Sequence, residues 1–278
     1  MTISESKLVL PLAALFVAFF VAPLVVLIIL SLHAEASMQT WTAANYVKFF
    51  TDSFNYTILI ETLLLGVKAT LVCLAFGYPI AWVCVRAGAK VQSVIVFLVI
   101  LPILTSVVVR TFGWIVILGR QGVINQILMG LGIVNDPIRL LYTELGVVMV
   151  LAQVQMPLMV LPILTVMGKI DANLGDASRV LGAGEWKTLW RITIPLSLPG
   201  VIAGCILTYT ACITAFVTQT LIGGARLIYM PLHIYQQAVG ANAWPFAAAI
   251  SVVFMISVMI IVGALGALGR RSETYARP

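Results

Sequence analysis

Gly182-Ala183-Gly184-Glu185-Trp186-Lys187-Thr188 has the outline of a phosphate-binding loop, in which glycine amides and a lysine ammonium cradle a nucleotide. That chemistry needs glycine immediately before the Lys-Thr pair, where the backbone must close on the phosphate, and Trp186 holds that place. The chain is therefore not expected to hydrolyse ATP. The two histidines, His33 and His233, fall in segments between apolar runs and are expected to be ordinary polar surface residues. An intramembrane protease would need a serine or a carboxylate pair with a histidine at membrane depth, and no such set stands out. Cys73, Cys84, Cys205 and Cys212 all lie within apolar runs and lack metal-ligand spacing, so they read as small buried hydrophobes. No catalytic residue, cofactor-binding residue or metal ligand is expected on this chain.

The remaining polar residues of interest sit inside apolar runs. Glu61 and Lys68 are seven apart and share one helix face, and Arg110 lies in the next run. Charges in lipid cost at least about 2.5–3.5 kcal/mol each near the centre, so such residues face protein or water. Gln153 and Gln155 follow in a later run, then Tyr209, Thr210, Thr214 and Thr218, the threonines at i, i+4 and i+8. Glu61, Lys68, Arg110, Gln153, Tyr209, Thr210, Thr214 and Thr218 are candidates for lining a solute path. The same threonine stripe serves equally well as hydrogen-bonding glue between helices.

The elements that hold these residues follow from composition. The 278 residues are 62% hydrophobic and 9% charged, with a mean hydropathy of +1.10. A soluble domain has roughly 25% charged residues. Continuous apolar runs of about twenty residues match a bilayer core of about 30 Å spanned by a helix. Barrel strands would alternate apolar and polar instead. The expectation is an all-α membrane protein with six transmembrane helices, near Leu8–Leu32, Ile58–Val85, Ser93–Leu118, Leu145–Met167, Gly200–Ile222 and Trp244–Leu268. An Ala34-Glu35-Ala36 sequence looks like a cleavage site, but the apolar run before it is longer than the 7–15 residues of a signal peptide's core, so an uncleaved first helix is expected. Val123–Leu131 is apolar at helical spacing but too short to span, which predicts a helix on the membrane surface.

With the N-terminus inside, the cytoplasmic segments carry Lys7, Arg86, Lys90, Lys169, Arg179, Lys187, Arg191, Arg270, Arg271 and Arg277. The opposite side carries Lys48, Arg120, Arg139 and Arg226. This asymmetry fits the positive-inside rule with both termini cytoplasmic. Scattered basic residues explain the formal charge of +6 without nucleic acid. Boundaries are expected at 1–57 for a first helix and outer loop, 58–268 for the main membrane domain and 269–278 for a tail.

The polar interruption from Lys169 to Pro199 cannot lie in lipid and must form a cytoplasmic loop. Asp171 or Asn173 can cap a short helix with Asp176 in its first turn. Ala177 and Ser178 keep a face small enough for close approach by another protein, and Gly182 can end the helix in a left-handed conformation. A second short helix near Glu185–Arg191 would present Trp186, Leu189 and Trp190, and Pro195 and Pro199 then lead into the fifth span. The outcome is a helix–turn–helix knob.

The spacing Asp-Ala-Ser-x3-Gly-x9-Ile-x-Ile-Pro (Asp176, Ala177, Ser178, Gly182, Ile192, Ile194, Pro195) resembles the EAA signature of type I ABC-importer permeases, usually E-A-A-x3-G-x9-I-x-L-P. Asp replaces Glu, Ser replaces the second Ala and Ile replaces Leu. The segments ETLLLGVKATLVCLAFGYPIAW, VVRTFGWIVILGRQGVIN, PLSLPGVIAG and AFVTQTLIGGARLIYMPLHIYQQ extend the likeness over roughly 57–268, toward the first-permease branch of spermidine/putrescine-type importers. Some polyamine permeases carry an acidic residue in the fifth span, whereas Ala211–Ile222 has none.

The resemblance implies a permease fold with a coupling helix that seats in an ATP-binding subunit. Asp176, Ala177, Ser178, Gly182, Ile192 and Pro195 would make the ATPase-coupling contact. It further implies two copies of an ATP-binding subunit that uses the ATP, a second and non-identical permease chain, a periplasmic solute-binding protein, and residence in the bacterial cytoplasmic (inner) membrane among its lipids. A small polar solute, polyamine-like or related, would be moved inward. The alternatives are an intramembrane enzyme, for which the residues named above do not stand out, and a passive channel, which would leave the knob unexplained.

Overall fold

The computed structural model describes residues 11 and 13–274, the side chains of residues 172, 268 and 270–274 excepted. Lys7, Arg277 and the expected start of the first span lie outside the described residues, as do the side chains of Arg270 and Arg271. Nearly all of the described chain is helical, in keeping with backbone groups that lipid cannot hydrogen-bond. Among the described residues six helices are long and apolar enough to cross a membrane: Ala13–Ser31, Ser53–Arg86, Val107–Gly130, Glu144–Met167, Glu185–Ile213 and Trp244–Ala267.

The described residues fall into two compact units. One comprises those up to Leu59 together with Leu232–Ser257. It holds α1 (Ala13–Ser31), α2 (Ala44–Thr51) and the start of α3 (Ser53–Arg86). Here Ser31 Oγ meets Tyr46 Oη at 2.6 Å, and Asn45 Nδ2 donates to the carbonyl of His33 at 2.9 Å. Both histidines are buried, contrary to the sequence expectation. His33 lies against Trp41 with centroids 4.1 Å apart and the rings tilted by 45°, and holds the Ile29 carbonyl with Nδ1 at 2.7 Å. His233 holds Asn55 Oδ1 at 2.8 Å with Phe54 edge-on to its ring. Aromatic neighbours on the segments around each histidine cover it, which charge and hydropathy do not report.

The other unit is Ile60–Pro231 with the residues from Val258. After most of α3 come α4 (Ala89–Ile100), a 3-10 turn at Leu101–Leu104, α5 (Val107–Leu118), α6 (Val123–Gly130) and α7 (Glu144–Met167). Next are α8 (Ala172–Val180), α9 (Glu185–Thr188), α10 (Ile194–Ile213), joined to α9 by the π turn Leu189–Thr193, and α11 (Phe216–Gly223). Of the last two helices, α12 (Met230–Tyr235) falls mostly in the first unit, and α13 (Trp244–Thr274) begins in the first and ends in the second.

The central seam is α10 along α7. A Cβ on Gly200 would come within 2.8 Å of the Pro162 carbonyl, and one on Gly204 within 3.0 Å of the Met159 carbonyl. Only glycine lets these backbones approach so closely, the small-residue packing that lipid favours. Cys73, Cys84 and Cys212 are buried, Cys205 partly so, and none is in a disulfide.

Two expected spans are broken. The third divides at Leu101–Ser106, where Pro102 lacks an N–H and Thr105 is extended. The fifth begins earlier than Gly200, since helix runs continuously from Glu185, and it divides at Thr214–Ala215. The threonine stripe read on an unbroken helix is thereby split: Thr214 is exposed, Thr218 buried and Thr210 between.

Candidate functional site

The segment after α7 forms the expected knob. Asp171 is its N-cap, its side chain accepting the Asn173 N–H at 2.9 Å. This start places Asp176 in the second turn rather than the first, where it pairs with Arg179 at 3.1 Å. At the other end Gly182 has φ +77°. The Ala183 N–H reaches the Ser178 carbonyl at 3.0 Å and the Gly182 N–H reaches Arg179 at 2.9 Å, the paired bonds of a Schellman cap. Such a φ strains any side chain with a Cβ, and glycine removes the strain.

Ser178 does not face outward. It is buried with its hydroxyl 2.6 Å from that of Thr188, which pins α8 to α9. Asp176, Ala177, Gly182 and Pro195 are exposed, while Ile192 is half-buried. Leu189 turns inward, away from Trp186 and Trp190, which stand 73% and 66% exposed beside Val180 and Leu181 at 87% and 86%. So much uncovered apolar surface on a polar segment marks a contact face. The knob is tied to α3 by Arg86, which reaches Glu185 at 3.7 Å and lies over the Trp82 ring at 4.3 Å. A 290 Å³ cavity lined by Trp82, Arg86, Asp171, Asp176 and Arg179 lies where the knob meets the helix ends.

The structure distributes the expected path residues among three places. Lys68 pairs with Glu144, at the start of α7, instead of with Glu61. Burial and the carboxylates of Glu144 and Glu61 push the Tyr229 hydroxyl well above its ordinary value, so all three acidic groups stand near one another. Glu144 was missed in the sequence because it opens an apolar run and shares no helix face with Lys68. Gln153 accepts the Trp114 indole N–H at 3.1 Å on the wall of a 680 Å³ apolar cavity between α3, α4 and α7. Tyr209 is buried against Gly66, and Thr210 bonds back to the Ile206 carbonyl at 2.8 Å.

Arg110, Thr214 and Thr218 do come together, with Thr105 and Gln155, around a 510 Å³ cavity at the two helix breaks. Arg110 Nη1 donates to the Pro102 carbonyl and, at 3.3 Å, to Thr105. Gln219 Nε2 donates to the carbonyls of Cys212 at 2.8 Å and Ile213 at 3.2 Å. Thr105 was not singled out in the sequence, and Gln155 was noted there without these neighbours, because only the broken backbone brings them to the same level. Among the described residues no cluster of three or more His, Cys, Asp or Glu could hold a metal.

Comparison with known proteins bears on these features together. Residues 6–273 match the family described as binding-protein-dependent transport system inner membrane component. The spermidine/putrescine transport system permease protein PotB of Escherichia coli (strain K12) is 35% identical over 218 residues, 78% of this chain and 79% of PotB. The molybdenum transport system permease protein ModB of the same organism is 32% identical over 160 residues, 56% of this chain and 68% of ModB. In fold, the chain resembles a solved bacterial alginate ABC transporter in complex with an alginate pentasaccharide-bound periplasmic protein. The TM-score is 0.79 at 19% identity, covering 96% of this chain and 94% of that one. With six apolar membrane-spanning helices and a family match over nearly its whole length, the chain belongs to the binding-protein-dependent transport inner membrane components and is a multi-pass permease subunit of the type I ABC-importer fold.

Proposed function

We propose that this permease is one membrane half of an ATP-driven importer in the bacterial cytoplasmic membrane, with both termini and the knob on the cytoplasmic side. The uncovered apolar face of the α8–α9 knob carries this reading. Val180, Leu181, Trp186 and Trp190 have nothing over them among the described residues, and a knob of this shape fits a groove of an ATP-binding subunit. Asp176, Ala177 and Gly182 form the approach surface, Ser178 holds its two helices together, and Ile192 and Pro195 start the long helix behind it.

Two copies of the ATP-binding subunit supply the hydrolysis, a second and different permease completes the pathway, and a periplasmic protein delivers the solute. PotB and the alginate system, by their names, support such an assembly. The solute is a small polar metabolite, polyamine-like or related. Relatives named for spermidine/putrescine and for molybdenum show that membership alone does not set its charge.

The test is cross-linking in native membranes. An Ala177→Cys variant with a cysteine in the facing groove should form a disulfide with the ATP-binding subunit, and that subunit should co-purify with the wild-type permease. Failure of both, or labelling of Ala177→Cys by impermeant reagents from the periplasm, would reject the assignment.

A further inference from the structure

We propose that the 510 Å³ cavity at the two helix breaks is a solute site and that it takes a solute carrying an anionic oxygen group, such as a carboxylate or phosphonate, held by Arg110. This rests on the importer reading above and adds to it the chemical class of the solute.

The cavity lies at mid-depth. Gln155, on its wall, is halfway along α7, and α4 reaches it after twelve residues, about 18 Å of helix. Both interrupted spans resume here, with α5 starting at Val107 and α11 at Phe216, each on the cavity wall. A break inside a membrane helix exposes two opposite partial charges: carbonyls at the end of one half and N–H groups at the start of the next.

The chain treats the two ends differently. At the α10 terminus the amide of Gln219 covers the carbonyls of Cys212 and Ile213. At the other break the Pro102 carbonyl is covered by Arg110. Neither Ser106 nor Ala215, the residues that precede α5 and α11, caps its helix with a side chain. The negative ends are thus neutralised from within, while both helices start on the cavity wall with no side-chain cap.

Arg110 adds a full charge. No carboxylate pairs with it among the described residues, none of the cavity-lining residues is acidic, and its Nε is buried without a hydrogen-bond partner. Thr105, Gln155, Thr214 and Thr218 supply the neutral hydroxyls and amide. A half-buried guanidinium with no carboxylate beside it favours an anion in the cavity, and two helix N-termini favour the same sign. Half-helix N-termini aimed at an anionic group near the bilayer midplane are a known way for a transporter to hold its substrate. A polycation would find no partner at this level. An amine that also bears an anionic group satisfies both the cavity and the likeness to amine permeases.

Thiol labelling reads the sign of the field directly. Thr214→Cys, in the assembled transporter with the four native cysteines replaced by alanine, is treated with methanethiosulfonates of equal reach bearing a sulfonate or a trimethylammonium group. Normalised to a free thiol in solution, the sulfonate reagent should react about tenfold faster, the lower end of what a focused field gives. In Arg110→Gln, which still offers a donor to Pro102, the ratio should fall toward one. Equal rates or a preference for the ammonium reagent with Arg110 intact overturn the proposal, and so does a sulfonate preference that Arg110→Gln leaves unchanged. Co-purification of the ATP-binding subunit is scored on the same preparations. Its loss in the wild type would count against the importer reading instead, and the labelling ratio is interpreted only where it is retained.

Discussion

Two single residues decide local stability in ways that burial reveals. Ser178 occupies a position read from spacing as part of the docking surface, yet its hydroxyl is spent on Thr188 inside the knob. Ser178→Ala should keep the outer face intact and cost about 1 kcal/mol, the net worth of one buried hydrogen bond. The expected readout is weaker solute stimulation of ATP hydrolysis with normal assembly, recovered in Ser178→Thr. His233 is the second. Burial, opposed by the nearby Asp52 carboxylate, holds its imidazole below the ordinary value of 6.5. The unfolded chain therefore takes up this proton first, so stability falls as pH drops below about 6.5 and is fully present above it. A melting curve of the purified complex should show that loss, and His233→Gln, which keeps a donor for Asn55, should flatten it. An acid-insensitive wild type would contradict the assignment. Neither role was legible in the linear pattern, because each depends on a partner that only the folded chain brings near: Thr188 across a turn, Asn55 across 178 positions.

At the level of elements, hydropathy locates apolar mass well and interruptions poorly. Six spans emerge from run length alone, though the third candidate is Val107–Gly130 rather than Ser93–Leu118 and takes in the helix at Val123–Gly130 that was expected to lie on the surface. The first break holds a proline, Pro102, but Thr214–Ala215 has no proline or glycine, so nothing in the local pattern announces a break there. Its cause is tertiary, with Gln219 taking over the carbonyls that the next turn would otherwise have used. The glycine pair at 200 and 204 forms the seam with α7. Gly200→Ala should overpack that seam against the Pro162 carbonyl at a cost of about 1–3 kcal/mol. Gly263→Ala, where a Cβ meets open space within the chain, should be neutral or gain up to about 1 kcal/mol of helix propensity. Equal melting temperatures for the two variants would show that close approach at Gly200 is not required.

Across the whole molecule, one continuous helical segment joins the two candidate sites. Glu185–Ile213 begins in the knob and ends at the cavity break, 29 residues and about 43 Å long. On the proposed function, motion imposed on the knob by a partner would be carried along α10, packed on α7, to Thr214. The Schellman turn at Gly182 keeps the knob in register with that segment, and Arg86–Glu185 ties it to α3. If this is the mechanical link, ATP binding should alter the labelling rate of Thr214→Cys in the assembled transporter about five- to 150-fold, the range of ordinary coupling energies. Gly182→Val forces a β-branched side chain into a left-handed backbone and should make the rates with and without ATP converge while the chain still inserts. Gly182→Asn, a residue that tolerates this conformation, should keep most of the difference. The comparison separates backbone geometry from surface chemistry: loss of the ATP effect in both variants would place the role of Gly182 in the docking contact, and retention in both would mean that the knob does not drive the cavity.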